Sequence, residues 1–376
     1  MRMRFQSLVL GLGGVGSAAL WRLARRGISV LGIVRFAPPH DRGSSHGKTR
    51  ILRQAYFEHP DYVPLARASY RLWDELEQAG GQPLRHNTGL VQFGPADGAV
   101  VRGVLTAARE HQLHVEQLES DQVRRRWPGF AAEGLAAVYE PAAAALLVER
   151  CVAAQLTAAR AAGAEIIMNA EVLGWSLGSP LVVNTTVGTF SADRLVVAAG
   201  PWAGPLLAET NVSVQVRRKV VAWYGAAEQL HAAAGYPCFL FELPTGVFYG
   251  FPAFDDQGAK VGEHSGGDDV ADPLDVDRSL RVADAEPLDE FVRARLPGVH
   301  GARSGHSVCM YTMSPDEHFL VDALPSDPRI VFAAGLSGHG FKFAPALGEA
   351  LAELALDGGS RLPIEFLSLR RFAAAQ

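Results

Sequence analysis

Residues 11–16 have the sequence GLGGVG and lie between an apolar run at 6–10 and a segment at 17–26 whose apolar residues recur at helical spacing. A second apolar run follows at 28–34. A strand, a helix and a second strand within about 30 residues form a βαβ unit. The GxGxxG spacing at the first strand-to-helix junction is typical of a dinucleotide-binding turn. The stretch therefore predicts an α/β fold of the Rossmann type.

The glycines of this turn have separate tasks. Gly11 makes the tight turn, Gly13 lets the backbone approach a pyrophosphate, and Gly16 lets the helix pack closely on the strand. Together with Gly14 they open a helix whose free N–H groups attract phosphate. We therefore expect Gly11, Gly13, Gly14 and Gly16 to bind the cofactor.

One feature of such a unit is absent. An acidic residue usually ends the second strand and binds a ribose hydroxyl, but this chain has Val34 there, followed by Arg35. Three explanations stay open: the ribose is held in another way, the affinity for the nucleotide is reduced, or Arg35 meets the 2′-phosphate of NADP.

The rest of the chain alternates between helical and strand-rich regions. Amphipathic helices are predicted at 61–79, 146–162 and 345–356, and strands at 166–172, 182–187, 195–198, 213–224, 238–243, 247–251, 259–264 and 330–334. The pattern indicates an α/β (α+β) protein in which a Rossmann-type nucleotide-binding domain is assembled from several segments. We assign 1–82, 147–212 and 318–376 to that domain, and 83–146 and 213–317 to an inserted β-rich substrate domain.

Composition excludes several classes of function. The 376 residues carry a net charge of -5 without long runs of one sign, so neither a basic face for nucleic acid nor a polybasic membrane anchor is predicted. The three cysteines have no CxxC spacing, which argues against a disulfide framework or a zinc site and favours the cytoplasm. His111 and His114 are interpreted as surface residues of a helix, so no metal is expected.

Four further stretches, in order along the chain, carry a resemblance to a known family. They are GSSHGKTR at 43–50, YGFP at 249–252, CMYT at 309–312 and SGHGFKF at 337–343. With the glycine turn they resemble the monomeric sarcosine oxidase family from about residue 6 to the C-terminus. The stretches RKVVAWY at 218–224, GEHSGG at 262–267 and SPDE at 314–317 look more like its N-methyl-L-tryptophan oxidase branch.

The resemblance implies FAD, linked covalently through a thioether to Cys309. The family usually has histidine where this chain has Ser45, which puts the fine tuning of the flavin site in question. Besides the glycine turn, the positions that match FAD-contacting residues are Ser44, His46, Thr49, Arg50, Gly200, Trp202, Cys309, Gly338, His339, Gly340 and Lys342.

The resemblance also implies catalytic roles. Arg53 and Lys342 match residues that clamp the carboxylate of the substrate, and Lys260 matches the lysine that activates oxygen. The remaining matches are Tyr249 and His264 near the substrate amine, and His46 and Arg50 beside the flavin ring. Because side chains alternate along a strand, Lys260 and His264 share one face of the 259–264 run, and we expect both to line one cavity.

The function expected from the resemblance is oxidation of the secondary amine of an amino acid, such as N-methyl-L-tryptophan or sarcosine. Oxygen would be reduced to hydrogen peroxide, formaldehyde and the amino acid would be released, and the enzyme would be a monomer. Three alternatives stay open: a flavin dehydrogenase with another electron acceptor, an NAD(P)-dependent dehydrogenase, and a non-catalytic nucleotide-binding relative.

Overall fold

The computed structural model describes residues 4–226 and 230–373. The α-helices of this part are α1 (Gly14–Arg25), α2 (Tyr62–Gly80), α3 (Ala99–Glu110), α4 (Ser120–Arg126), α5 (Val148–Ala161), α6 (Ala203–Leu206), α7 (Val282–Arg295), α8 (Ala344–Asp357) and α9 (Arg370–Ala373). None of the helices in these two ranges is long and apolar enough to cross a bilayer.

The strands contribute to three sheets. They are β1 (Arg4–Leu10), β2 (Val30–Ile33), β3 (Thr49–Leu52), β4 (Arg85–His86), β5 (Leu90–Gly94), β6 (Glu116–Leu118), β7 (Ala136–Glu140), β8 (Ala144–Leu147), β9 (Glu165–Ile167), β10 (Val172–Ser176), β11 (Leu181–Thr185), β12 (Gly188–Val197), β13 (Gln215–Ala226), β14 (Cys238–Leu243), β15 (Gly246–Phe251), β16 (Ala259–Glu263), β17 (Asp268–Val270), β18 (Val299–Met313), β19 (Leu320–Leu324) and β20 (Asp327–Ala334).

The first sheet contains the βαβ unit. Strand β1 lies between β12 and β2 and is parallel to both, and β9 and β20 extend the parallel part outward. Parallel sheets are covered on both faces; here α1, α2, α5 and α8 pack on one face. Helices α1 and α8 approach closely because Gly348 faces Ala18, where a Cβ on Gly348 would lie only 2.5 Å from the Cβ of Ala18.

The second sheet is antiparallel except where β14 joins β5, and its order is β17-β13-β16-β15-β14-β5-β7-β6. Strand β18 pairs with β13 from Gln215↔Met313 to Ala226↔Val299. Helix α7 covers this sheet, and the rings of Phe248 and Phe291 stack at 4.6 Å. A small third sheet, β3-β8-β4, anchors the segment that follows the loop at 43–48.

Several predicted elements differ from the structure. The run at 166–172 is not one strand, because Asn169 has a φ of 57° and ends β9 before β10 begins. The strand expected at 28–34 spans only Val30–Ile33, and the helix expected at 146–162 begins at Val148 because 144–147 pair with β3. His111 is the residue after α3 and His114 lies beyond it, so the prediction that both lie on one helix is wrong.

Candidate active site

The glycine turn joins β1 to α1, and two of its positions accept only glycine. Gly11 has a φ of 86°, and a Cβ there would lie 2.4 Å from the carbonyl oxygen of Ala198. A Cβ on Gly16 would lie 1.8 Å from the carbonyl oxygen of Gly11. The backbone N–H of Gly14 donates to Ser45 Oγ at 3.1 Å, so Ser45 lies at the open end of this turn.

A cavity of about 430 Å³ extends from this turn between the first two sheets. At one end it is lined by Val34, Arg35, Glu171 and Trp202, and at the other by Tyr311. The sequence-predicted cofactor residues in its wall are Gly11, Gly13, Gly14, Ser44, Arg50, Gly200, Trp202, Gly338 and Gly340. Gly16, His46, Thr49, Cys309, His339 and Lys342 lie outside this wall.

A cluster around Cys309 adjoins the part of this cavity that is lined by Arg50 and Tyr311. The Cys309 thiol is buried, and its Sγ lies 3.7 Å from Arg50 Nη2 and 3.9 Å from His46 Nδ1. Burial alone would raise the pKa of this thiol, but His46, Arg50 and Lys260 outweigh it and lower the pKa to about 6. Cys309 is therefore mostly thiolate at neutral pH, the reactive form of the side chain.

Lys260 is 2% exposed. Its Nζ donates to the backbone carbonyls of Gly47 and Thr49, both at 2.8 Å. Burial, and then the charge of Arg50, lower its pKa well below 10.5. Lys260 thus ties β16 to the loop that carries His46 and Arg50.

Arg50 and two glutamates, Glu149 and Glu140, hold this loop and the residues that follow β3. Arg50 donates to the carbonyls of Ser44 at 3.0 Å and Thr49 at 2.9 Å. Glu149, in the first turn of α5, accepts from the N–H groups of Gly47 and Lys48 at 2.8 and 3.1 Å.

Further along, Glu140 on β7 accepts from the N–H groups of Gln54 and Ala55 at 2.7 and 3.1 Å. The irregular residues on either side of β3, whose amides would otherwise lack partners, are therefore held from two distant elements.

Arg53 is buried in a second cluster. Its Nη2 lies 2.6 Å from both carboxylate oxygens of Glu58, and its guanidinium packs over the rings of Tyr56 and Phe57 at 4.1 and 4.5 Å. Burial favours the neutral acid, but Arg53 lowers the pKa of Glu58 to about 2. The pair is charged at any physiological pH.

Lys342, in the 3₁₀ turn Phe341–Phe343 before α8, and His339, which precedes that turn, complete this cluster. Lys342 Nζ donates to the His339 carbonyl at 2.8 Å and to the Tyr56 hydroxyl at 3.3 Å. Burial, with a smaller effect of Arg53, lowers the pKa of Lys342 to about 7. Burial likewise lowers the pKa of His339 to about 3, so its neutral ring bridges Tyr56 and the carbonyl of Glu317.

His264 and Tyr249 lie on the second sheet near both clusters. His264 Nδ1 is 3.5 Å from the Tyr311 hydroxyl, and burial lowers its pKa to about 4. Tyr249 faces Gly262 across the β15–β16 pair, and a Cβ on Gly262 would lie 2.9 Å from the ring of Tyr249. The wall of the large cavity contains neither Lys260 nor His264, so the expectation that both line one cavity is wrong for that cavity.

Sequence reasoning missed Glu58, Tyr56 and Tyr311. Tyr311 stands in the quoted CMYT stretch, but its contact with His264 depends on the pairing of distant strands. Glu58 carries a usable signal, because a buried arginine needs a counter-charge and Glu58 is the first acid after Arg53.

The residues around the large cavity fit FAD. The glycine turn leaves room for a pyrophosphate, and Arg50 and Tyr311 define a polar end beside the thiolate of Cys309. Among the described residues, the buried Trp202 Nε1 and His46 Nε2 have no hydrogen-bond partner in the protein. Buried polar atoms are normally paired, so both are available to a ligand.

Comparisons with known proteins agree with this geometry. Residues 7–354 match the family described as FAD dependent oxidoreductase. The chain is 38% identical to monomeric sarcosine oxidase of Bacillus sp. (strain B-0618), over 99% of this chain and 97% of the relative. It is 39% identical to N-methyl-L-tryptophan oxidase of Yersinia pestis (strain Pestoides F), over 98% of this chain and 100% of the relative.

A solved structure of NikD, described as an unusual amino acid oxidase, superposes with a TM-score of 0.86 at 24% identity over 97% of each chain, and shows the same fold. The family match leaves the NAD(P)-dependent alternative without support. The glycine turn, the cavity and these matches together establish that the chain belongs to the FAD-dependent oxidoreductase family, in the group that contains monomeric sarcosine oxidase and N-methyl-L-tryptophan oxidase.

Proposed function

We propose that this enzyme oxidises the secondary amine of an N-substituted amino acid and passes the electrons to O₂. The observation that carries the proposal is that two buried basic side chains, Arg53 and Lys342, meet at Tyr56 and lie close enough to His264 to affect its pKa. Glu58 balances the charge of Arg53, so the positive charge of Lys342 is left for the carboxylate of a substrate. A simple amine has no such group.

The carboxylate of the substrate is bound by Arg53 and Lys342. Hydrogen bonds to charged groups contribute roughly 1.5–3 kcal/mol each, so the pair favours an amino acid over a simple amine. The neutral ring of His264 and the hydroxyls of Tyr249 and Tyr311 surround the amine without adding positive charge. The site can therefore bind the amine of the substrate in its neutral form, which is the reactive one. Holding this amine in a fixed orientation supplies much of the increase in reaction rate.

Bound FAD would supply the ring that accepts a hydride equivalent from the amine. The residues that would hold it are the glycine turn, Ser44, Trp202 and Gly338. Arg50 and His46 would stabilise the negative charge that the bound flavin gains as the amine is oxidised.

Lys260 is proposed to assist the reduction of O₂. Its Nζ is fixed by the carbonyls of Gly47 and Thr49 at 2.8 Å, and a cation held in this way would lower the barrier by stabilising the negative charge that develops on oxygen. The products are hydrogen peroxide and an imine, which water hydrolyses to formaldehyde and the amino acid when the substituent is methyl.

Cys309 is proposed as the site of a covalent thioether to FAD. Its pKa of about 6 supports this role, because a thiolate is the nucleophilic form of cysteine. The names of the two curated relatives favour sarcosine or N-methyl-L-tryptophan as substrate. We further propose that the enzyme is a cytoplasmic monomer. The domain boundaries are proposed at 82/83, 146/147, 212/213 and 317/318. They are supported by the first sheet, because its strands β1, β2, β9–β12, β19 and β20 all fall in the segments assigned to the FAD-binding domain.

The first experiment is the visible spectrum of the purified protein before and after acid precipitation. A yellow pellet supports covalent flavin, and a yellow supernatant contradicts the role of Cys309 while leaving FAD in place. Peroxide is then measured with sarcosine, N-methyl-L-tryptophan, L-proline and L-pipecolate. Peroxide in step with substrate consumption supports the oxidase, whereas reduction of an artificial dye without peroxide indicates the dehydrogenase, and a protein that binds no flavin contradicts the whole proposal.

A further inference from the structure

The end of β2, where an acid usually binds ribose, is closed by an apolar side chain. Val34 is 6% exposed, its N–H donates to the carbonyl of Ile167 at 3.0 Å, and its own carbonyl accepts from Ala170 N–H at 3.0 Å. These bonds hold the 167–171 connection against the end of β2. The next residue of that connection, Glu171, therefore lies beside the place that the missing acid would occupy.

Glu171 forms an ion pair with the neighbour of Val34. Its Oε2 lies 3.0 Å from Arg35 Nη2, and both residues belong to the wall of the large cavity, at the end that also contains Trp202. The backbone of Glu171 is fixed on both sides by Thr186, whose Oγ1 accepts from Glu171 N–H at 3.1 Å and whose N–H donates to the Glu171 carbonyl at 3.0 Å. The carboxylate is therefore held at the cavity by a rigid hairpin rather than by β2.

We propose that Glu171 replaces the missing acid and binds the adenosine ribose hydroxyls of FAD, with Arg35 as the positioning residue. Within the described chain, the ion pair engages Oε2, which leaves Oε1 free to accept from a hydroxyl. The inference rests on the proposed binding of FAD.

The same ion pair decides between the explanations for Arg35. A 2′-phosphate would have to approach Arg35 beside the carboxylate of Glu171, where like charges repel. Arg35 is already neutralised by Glu171 at 3.0 Å. The site therefore selects a free ribose over a 2′-phosphorylated one, in agreement with FAD and against NADP.

The test measures flavin binding directly. In a Cys309→Ser background, where flavin is held only by non-covalent contacts, the dissociation constants of FAD and FMN are measured by quenching of flavin fluorescence after the protein has been stripped of flavin. Glu171→Gln should weaken FAD about tenfold or more, the loss of a hydrogen bond to a charged group. It should leave FMN unchanged, because FMN has no adenosine ribose.

Glu165→Gln is the matched control, since Glu165 is an exposed carboxylate on β9 that does not line the cavity; it should change neither constant. Adding Val34→Asp to Glu171→Gln restores an acid at the end of β2 and should recover FAD affinity. If Glu171→Gln leaves FAD binding unchanged, or weakens FAD and FMN equally, the role of Glu171 is refuted while the proposed function stands. A Cys309→Ser protein that binds no flavin counts instead against the proposed function.

Discussion

The pKa of Lys342 makes the binding of substrate carboxylates depend on pH. Lys342 has a pKa of about 7 because burial, and then Arg53, disfavour its charged form. A bound carboxylate favours that charged form and raises the pKa of Lys342 in the complex. Binding is therefore strongest below pH 7 and weakens as the pH rises from 7 toward the pKa in the complex. If that pKa reaches about 9, the affinity falls about a hundredfold in total, or about 2.7 kcal/mol, from its plateau well below pH 7 to its plateau well above pH 9, and about 25-fold of that loss lies between pH 7 and pH 9.

Propionate is a suitable probe, because it has a carboxylate but no amine that titrates in this range. Its inhibition constant against the amine substrate is measured at half-unit steps from pH 6.5 to about 9.5, a range chosen to bracket the expected loss. Lys342→Arg is the matched control, since arginine stays charged throughout, and its profile should be flat. A flat profile for the wild-type enzyme, or an equal slope in Lys342→Arg, would refute the assignment of Lys342 to the carboxylate clamp.

Three other perturbations have definite outcomes. Glu58 has a pKa of about 2 in place of 4.5, so it contributes about 3 kcal/mol of stability that is present above pH 4.5 and is lost as the pH falls toward 2. The difference in free energy of unfolding between wild type and Glu58→Gln, measured by urea denaturation, should therefore shrink by about 2 kcal/mol from pH 6 to pH 3. A constant difference would contradict the ion pair. Gly16→Ala places a Cβ 1.8 Å from a carbonyl oxygen, so it should lower the free energy of unfolding by about 3 kcal/mol or more and also reduce the flavin content. Gly80→Ala, whose Cβ would have no atom within 4 Å, should change neither. Thermal unfolding and the flavin absorbance of the two variants test this. Lys260→Met should slow reoxidation of the reduced enzyme by O₂ about a hundredfold in stopped flow without changing reduction by the amine, and an unchanged reoxidation rate would remove Lys260 from that step.

Local features were predictable from the sequence because their physics is local. The glycine turn needs only the steric demands of Gly11 and Gly16 and the strand and helix beside them. The prediction for 166–172 was wrong for a local reason too: the apolar pattern gives no sign that Asn169 adopts a left-handed conformation, which interrupts the extended backbone. The ends of these strands are therefore set by backbone turns, which the pattern of apolar residues does not indicate.

The contacts of the candidate site were beyond sequence reasoning because they join distant segments. Tyr56 and His339 are 283 residues apart, and their hydrogen bond depends on α8 packing against α2. The pKa of Cys309 depends equally on tertiary contacts, since His46 reaches it from the loop at 43–48 and Arg50 from β3 in another sheet. Residue types and order indicated which side chains mattered, but only the topology shows which of them meet.

The two carboxylates that hold the loop, Glu140 and Glu149, restrict how such an enzyme acquires new substrates over evolutionary time. Each accepts two backbone amides of the 47–55 segment, so an insertion or deletion there would break both anchors and displace Arg50 and Arg53 together. Loop residues usually tolerate changes of length, whereas those on either side of β3 should be constant in number among descendants of the fold. New substrate preferences are then expected to arise from side-chain substitutions on β14 to β16, because such substitutions do not change the length of the 47–55 segment.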